Sequence, residues 1–171
     1  MKRVICLSLL FLNIGTSFAN EQEYKTINDV ITAFEQSIET KDKPRFLSLF
    51  TNSNAPMVGV VSGESMKLRR AAVERINRED NKNFKVTRTW VTSPEKMIDR
   101  IIASKAVSKE VFNNIKVVSD DSIASIYFDY EFFKDDVKKH WGAESWQMVQ
   151  TMKGWKISSI NYSITFLEKA P

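Results

Sequence analysis

Asp129 lies between Phe128 and Tyr130 in the stretch IYFDYEFF. A carboxyl group enclosed by aromatic rings has its pKa raised and can exchange a proton near neutral pH. Alternation argues against such a site here. Asp129 shares parity with Ser125, Tyr127 and Glu131, the less apolar side of the run, and a β-bulge would be needed to turn it inward. His140 is the one histidine of the chain. It follows Lys138 and Lys139 and precedes Trp141, a setting that suits either an acid–base group at a pocket mouth or a solvated residue in a basic turn. Asp129 and His140 are thus the candidate catalytic residues, each with a plain structural alternative.

Chemistry with a stronger signature is not encoded. The sequence has no phosphate-binding glycine loop, no nucleophile elbow, no HExxH and no paired cysteines. One histidine and one cysteine argue against a zinc site, and neither a metal nor another cofactor is implied. A serine nucleophile would need His140 as its base, and nothing local marks the serine. Lys67, Arg69, Arg70, Arg75 and Arg78 are interleaved with Glu74, Glu79 and Asp80. That cluster is either a lid or docking surface for an acidic partner, or a solvated helix with its own charge pairs. Asn161-Tyr162-Ser163 matches a glycosylation triplet but falls in an expected strand and is read as chance.

The elements that must position these residues follow from periodicity. Ile27, Val30, Ile31, Phe34 and Ile38 recur at helical spacing behind Thr26 and Asp29, a capping signal. Asp42 and Pro44 open a second short helix. A buried strand is expected over 57–61, a charged surface excursion over 63–85, and a short strand over 86–91. Ser93-Pro94-Glu95 starts a further helix whose Met97, Ile98, Ile101 and Ile102 face inward. The remainder reads as sheet: a strand over 111–118, an alternating strand over 123–133, a turn over 134–139, and a closing hairpin around Lys153-Gly154 with Trp146 and Trp155 on its arms. Helices first and an antiparallel meander last make an α+β fold with helices on one sheet face.

The two ends bound the setting. Lys2 and Arg3, an apolar run over 4–12 and Ser17-Phe18-Ala19 have the form of a secretory signal peptide, with cleavage expected after Ala19. The mature chain, 20–171, then has no cysteine and must rely on its core. The formal net charge of +4 falls to about +2 without Lys2 and Arg3. The expected location is periplasmic or secreted, with no stable membrane insertion after cleavage and no nucleic-acid partner.

The opening helix VITAFEQSIETKD, the following RFLSLFTNSNAPMVGVV and the closing SWQMVQTMKGWKISSINYS resemble the nuclear transport factor 2-like superfamily, also described as SnoaL-like or cystatin-like. Ketosteroid isomerase, scytalone dehydratase and polyketide cyclases share that fold. The resemblance covers nearly all of 20–171 as a single domain and departs at the charged insertion near 63–85. It implies a strongly curved, mainly antiparallel sheet that forms a cone around the helices, with a pocket at one end. It also implies that pocket carboxylates, tyrosines and histidines are candidate acid–base groups, and that the chain pairs as a homodimer through the outer sheet face. With the periodicities above, Phe34, Ile98, Ile102, Phe128, Tyr130, Trp141, Trp146 and Tyr162 are the candidate ligand-binding wall.

Three functions follow as alternatives: a binding domain for a small apolar or aromatic molecule, an isomerase- or dehydratase-type acid–base enzyme, and a protein-interaction domain with a filled cone. Titratable groups in an open pocket favour the enzyme, a neutral apolar pocket favours binding, and a filled cone favours interaction.

Overall fold

The computed structural model describes residues 23–167. The expected signal peptide, 1–19, lies outside them. In chain order the elements are α1 (Ile27–Thr40), α2 (Lys43–Ser48), β1 (Met57–Val61), α3 (Met66–Glu79), β2 (Thr89–Thr92), α4 (Pro94–Ala103), β3 (Ser108–Ser119), β4 (Ile123–Lys134), β5 (Val137–Thr151) and β6 (Gly154–Phe166).

Local chemistry accounts for the helix ends. The Asp29 N–H donates to Thr26 Oγ1 at 3.1 Å while the Thr26 N–H donates to Asp29 Oδ2 at 2.8 Å, a complete capping box. Lys41 closes α1 in the left-handed region, with φ 57°. Asp42 caps α2, with Pro44 in its first turn, and Ser93 caps α4, with Pro94 in its first turn. α3 is the charged excursion expected over 63–85. It is a full helix, yet it contains no buried residue.

The sheet has six strands in the order β2-β1-β6-β5-β4-β3. β3 to β6 form the expected antiparallel meander, but β1 runs parallel to β6, so the sheet is mixed. The sheet stays open, with β2 and β3 as its two edges. Bulges interrupt the registers at Asn113/Lys116, Phe132/Phe133 and Gln147/Met148. The turn between β4 and β5 is shorter than the expected 134–139. Asp135 and Asp136, at φ 49° and 58°, form a tight left-handed pair, and pairing resumes at Val137. His140 therefore sits inside β5 instead of in a loop.

The core lies between α1, α2 and the inner sheet face. Phe34 of α1 packs in a tilted arrangement against Trp146 of β5, with centroids 4.7 Å apart, and against Phe46 at 5.0 Å. Phe112, Phe128 and Trp146 complete the cluster, with Phe112–Phe128 at 4.4 Å and Phe128–Trp146 at 5.0 Å. These rings fill one end of the helix–sheet space.

Candidate functional site

At the other end the space is empty. A cavity of about 520 Å³ opens between α4, the β1–β2 pair and the inner faces of β3 to β6. Its apolar wall comes from Met57, Trp90, Met97, Ile101, Tyr130, Phe132, Tyr162, Ile164 and Phe166. Thr92, Arg100, Ser108, Glu110, Lys134, Lys139, His140 and Glu144 add polar or charged groups.

Strand parity explains most of this lining. On β4, Phe128, Tyr130 and Phe132 alternate inward and are buried. On β5 the inward series is His140, Gly142, Glu144 and Trp146. It holds up to His140, where the register with β4 slips: Phe132 pairs with His140 but Phe133 pairs with Lys138. Lys139 is the extra residue, and the bulge brings it to the cavity beside His140. Gly142 faces Tyr130 across the β4–β5 ladder. A Cβ there would come within 2.2 Å of the Ser163 carbonyl oxygen. The bare glycine lets that carbonyl turn inward and accept a 2.9 Å hydrogen bond from the Tyr130 hydroxyl. The Tyr130 hydroxyl also lies 3.4 Å from His140 Nδ1.

Glu110 and Glu144 are each only 4% exposed. Trp146 Nε1 donates to Glu144 Oε2 at 2.6 Å, which ties the cavity to the aromatic core. Burial pushes the Glu144 carboxyl up to about 7, with the tryptophan bond opposing. Burial, and then the charges of Glu144 and Glu35, hold Glu110 well above the usual carboxylate range. Among the described residues Glu110 Oε2 has no hydrogen-bond partner, and neither do Ser108 Oγ and Thr92 Oγ1. His140 stacks face to face on Phe132, with centroids 4.7 Å apart. Burial, aided by the charge of Lys134, lowers it to about 4, so the ring is neutral at pH 7. Burial also raises Tyr130 and Tyr162, and Tyr162 accepts a 3.0 Å hydrogen bond from Trp90 Nε1.

The expected site residues divide among three places. Tyr130, Tyr162 and His140 line the cavity. Phe34, Ile98, Phe128 and Trp146 are buried in the core and do not line it. For the aromatic three the reason is mutual ring packing, which closes the narrow end. Ile102 and Trp141 are each 42% exposed. Ile102 follows Ile101 by one helical step and so rotates away from the Met97–Ile101 stripe. Trp141 has outer parity on β5. Asp129 is also on the outer face, accepting a 2.8 Å bond from Asn114 Nδ2. The β4–β5 bulge lies beyond it, at Phe132/Phe133, so the alternation is not reversed at Asp129.

Sequence reasoning missed Glu110 and Glu144. Glu144 has the parity of Trp146, an expected wall residue, but Trp141, also expected in the wall, has the opposite parity, so alternation alone did not single out Glu144. Glu110 lay before the expected start of its strand. Among the described residues no group of three or more His, Cys, Asp or Glu side chains is arranged to hold a metal ion, and no helix is long and apolar enough to cross a membrane.

No protein-family model matches the chain, and no curated protein matches it. Solved structures do. A cystatin-like-fold protein of unknown function from Nostoc punctiforme superposes with a TM-score of 0.53 at 10% identity, over 82% of this chain and 94% of that one. A nuclear transport factor 2-like protein from Cytophaga hutchinsonii gives 0.53 at 8% identity, over 81% and 95%. A suggested dehydratase of the nuclear transport factor 2-like family from Streptomyces avermitilis gives 0.53 at 12% identity, over 82% and 94%. The fold is therefore the nuclear transport factor 2-like, cystatin-like α+β fold. At these identities the likeness is one of fold and assigns no activity.

Proposed function

We propose that this protein binds a small, mainly apolar or aromatic molecule in the cavity, and that it does so as a periplasmic or secreted domain. The observation that carries this reading is an open space of about 520 Å³ walled by aromatic and aliphatic side chains, with a few buried polar groups inside it. Sites of that size and polarity bury most of a small ligand, and the polar groups fix its orientation. Burial contributes about 25 cal/mol per Å2 of apolar area before association costs, which makes micromolar affinity reasonable. Trp90 lines the cavity, so its emission reports occupancy. Native mass spectrometry of the protein purified from its own host should find a retained small molecule, released on unfolding. Ligand-free protein in that experiment, together with no saturable emission change across a panel of apolar compounds, sinks the reading.

A second reading is an acid–base enzyme of isomerase or dehydratase type. What favours it is the meeting of Glu110, Glu144, Tyr130 and His140 in one cavity. The deep carboxyls and the neutral imidazole can hold and return a proton close to a bound ligand. The suggested dehydratase among the fold neighbours is consistent with this chemistry, at the level of fold only. Incorporation of solvent deuterium into a bound ligand, abolished by Glu144→Gln, supports catalysis. Slow background exchange unchanged by the protein leaves binding alone.

We further propose a homodimer through the outer sheet face. Tyr127 and Trp141, 53% and 42% exposed, stand there on neighbouring strands. Light scattering at tens of micromolar should give the dimer mass, reduced to the monomer by Tyr127→Glu with Trp141→Glu.

A further inference from the structure

The cavity is polar at both ends, and the two ends differ. Arg100 and Lys139 are exposed at its mouth and Lys134 is half-buried there, whereas Glu110 and Glu144 are deep. Among the described residues none of the three mouth cations forms an ion pair. Between the ends the wall is apolar. At depth the hydrogen-bonding capacity is unfilled: of the four buried side-chain polar atoms without a partner among the described residues, Thr92 Oγ1, Ser108 Oγ and Glu110 Oε2 all belong to residues lining this one cavity. Buried polar atoms left unpaired are costly, so a group that pairs them gains more than its own contact.

We infer that the ligand is an amphipathic carboxylate with a hydroxyl at its far end. The inference rests on the cavity-binding reading and names the class of molecule that fits it. The anionic head sits at the mouth among Arg100, Lys134 and Lys139, the apolar body lies along Trp90 and Phe132, and the terminal hydroxyl bonds Glu110. A purely apolar molecule leaves the deep oxygens unpaired. An ammonium compound has to pass three cations at the entrance. A second anion placed at depth is taken out of water beside Glu110 and Glu144, away from the three cations at the mouth. The mouth charges also raise the encounter rate of anions over cations of equal size.

The test is titration calorimetry of the mature chain at neutral pH with decanoate, ω-hydroxydecanoate, decanol and decylamine. The expected order is ω-hydroxydecanoate tightest, then decanoate, with decylamine about tenfold or more weaker than decanoate. The double variant Lys134→Ala with Lys139→Ala should weaken both acids by about tenfold and leave decanol unchanged. Glu110→Leu should erase the preference for the hydroxylated acid while retaining decanoate. Decylamine binding as tightly as decanoate, or acids indifferent to the lysine variant, overturns the inference and leaves the cavity-binding reading standing. No saturable binding by any of the four, decanol included, overturns both.

Discussion

Glu110 occupies a place where an apolar side chain would stabilise the fold more. Its carboxyl is buried, one oxygen has no partner among the described residues, and the neighbouring charges are those of Glu144 and Glu35. A group kept at such a cost is better explained by what it does in the cavity than by folding. Glu110→Leu is therefore expected to raise unfolding stability by about 1–3 kcal/mol, read from urea midpoints at pH 7. A loss of that size would mean the carboxyl is satisfied after all. Glu144 makes a second, pH-dependent prediction. Its carboxyl rises from an ordinary 4.5 to about 7 on folding, so the native state holds the proton more tightly than the unfolded chain. Its contribution is complete below about pH 4.5 and is lost as pH rises through about 7. His140 acts with the opposite sign: it drops from 6.5 to about 4, and its contribution is lost as pH falls through that window. Comparing wild type with Glu144→Gln cancels the histidine. The variant should gain on the wild type steadily between pH 4.5 and 7, and parallel stability curves would remove burial as the cause.

At the scale of elements, the β4–β5 hairpin makes the mouth of the cavity. The two-residue turn at Asp135 and Asp136 starts β5 early, and the bulge at Lys139 then keeps both Lys139 and His140 on the cavity side. The turn itself is suboptimal, because two non-glycine residues hold positive φ. Asp136→Gly removes that strain at the position where left-handed hairpin turns favour glycine. It should stabilise the protein by roughly 1 kcal/mol without altering ligand affinity. An affinity change greater than the stability change would show that the turn acidic pair acts on the mouth. On β6 the corresponding device is the inward Ser163 carbonyl over Gly142.

Across the whole molecule, stability is unevenly distributed. The β3–β6 meander and the α1–α2 face share the aromatic core, while α3 contributes no buried residue. Ser65, which immediately precedes α3, does not cap it with its side chain. Its hydroxyl instead accepts the Phe166 N–H at 2.8 Å. Arg69 packs over Trp90 at 5.7 Å and bonds the Thr87 carbonyl at 2.7 Å, which gives α3 a local anchor. Amide exchange should accordingly be fast throughout Met66–Glu79 and slowest on β4, β5 and β6. Protection of α3 equal to that of β5 would point to a partner, a second copy included, covering the helix. We also propose that the chain is cleaved after Ala19 on export: the intact mass of exported protein should correspond to a chain starting at Asn20, and a mass that retains 1–19 overturns it.

Local sequence set the helix starts at Thr26, Asp42 and Ser93, because caps and first-turn prolines act within a few residues. It likewise determined the meander and the inward parity of Tyr130, because strand alternation is a local period. It could not determine which inward residues would meet. Phe34, Phe128 and Trp146 share the inward direction of Tyr130, yet their rings close on one another while Tyr130 and Tyr162 border empty space. Parity gives the side a residue faces and says nothing of what lies opposite, and that depends on β1 pairing parallel to β6 and on where α4 docks. The same limit hid the carboxyls. Glu110 and Glu144 become a site only when β3 and β5, separated by β4, present them to one cavity in which water no longer screens their charge.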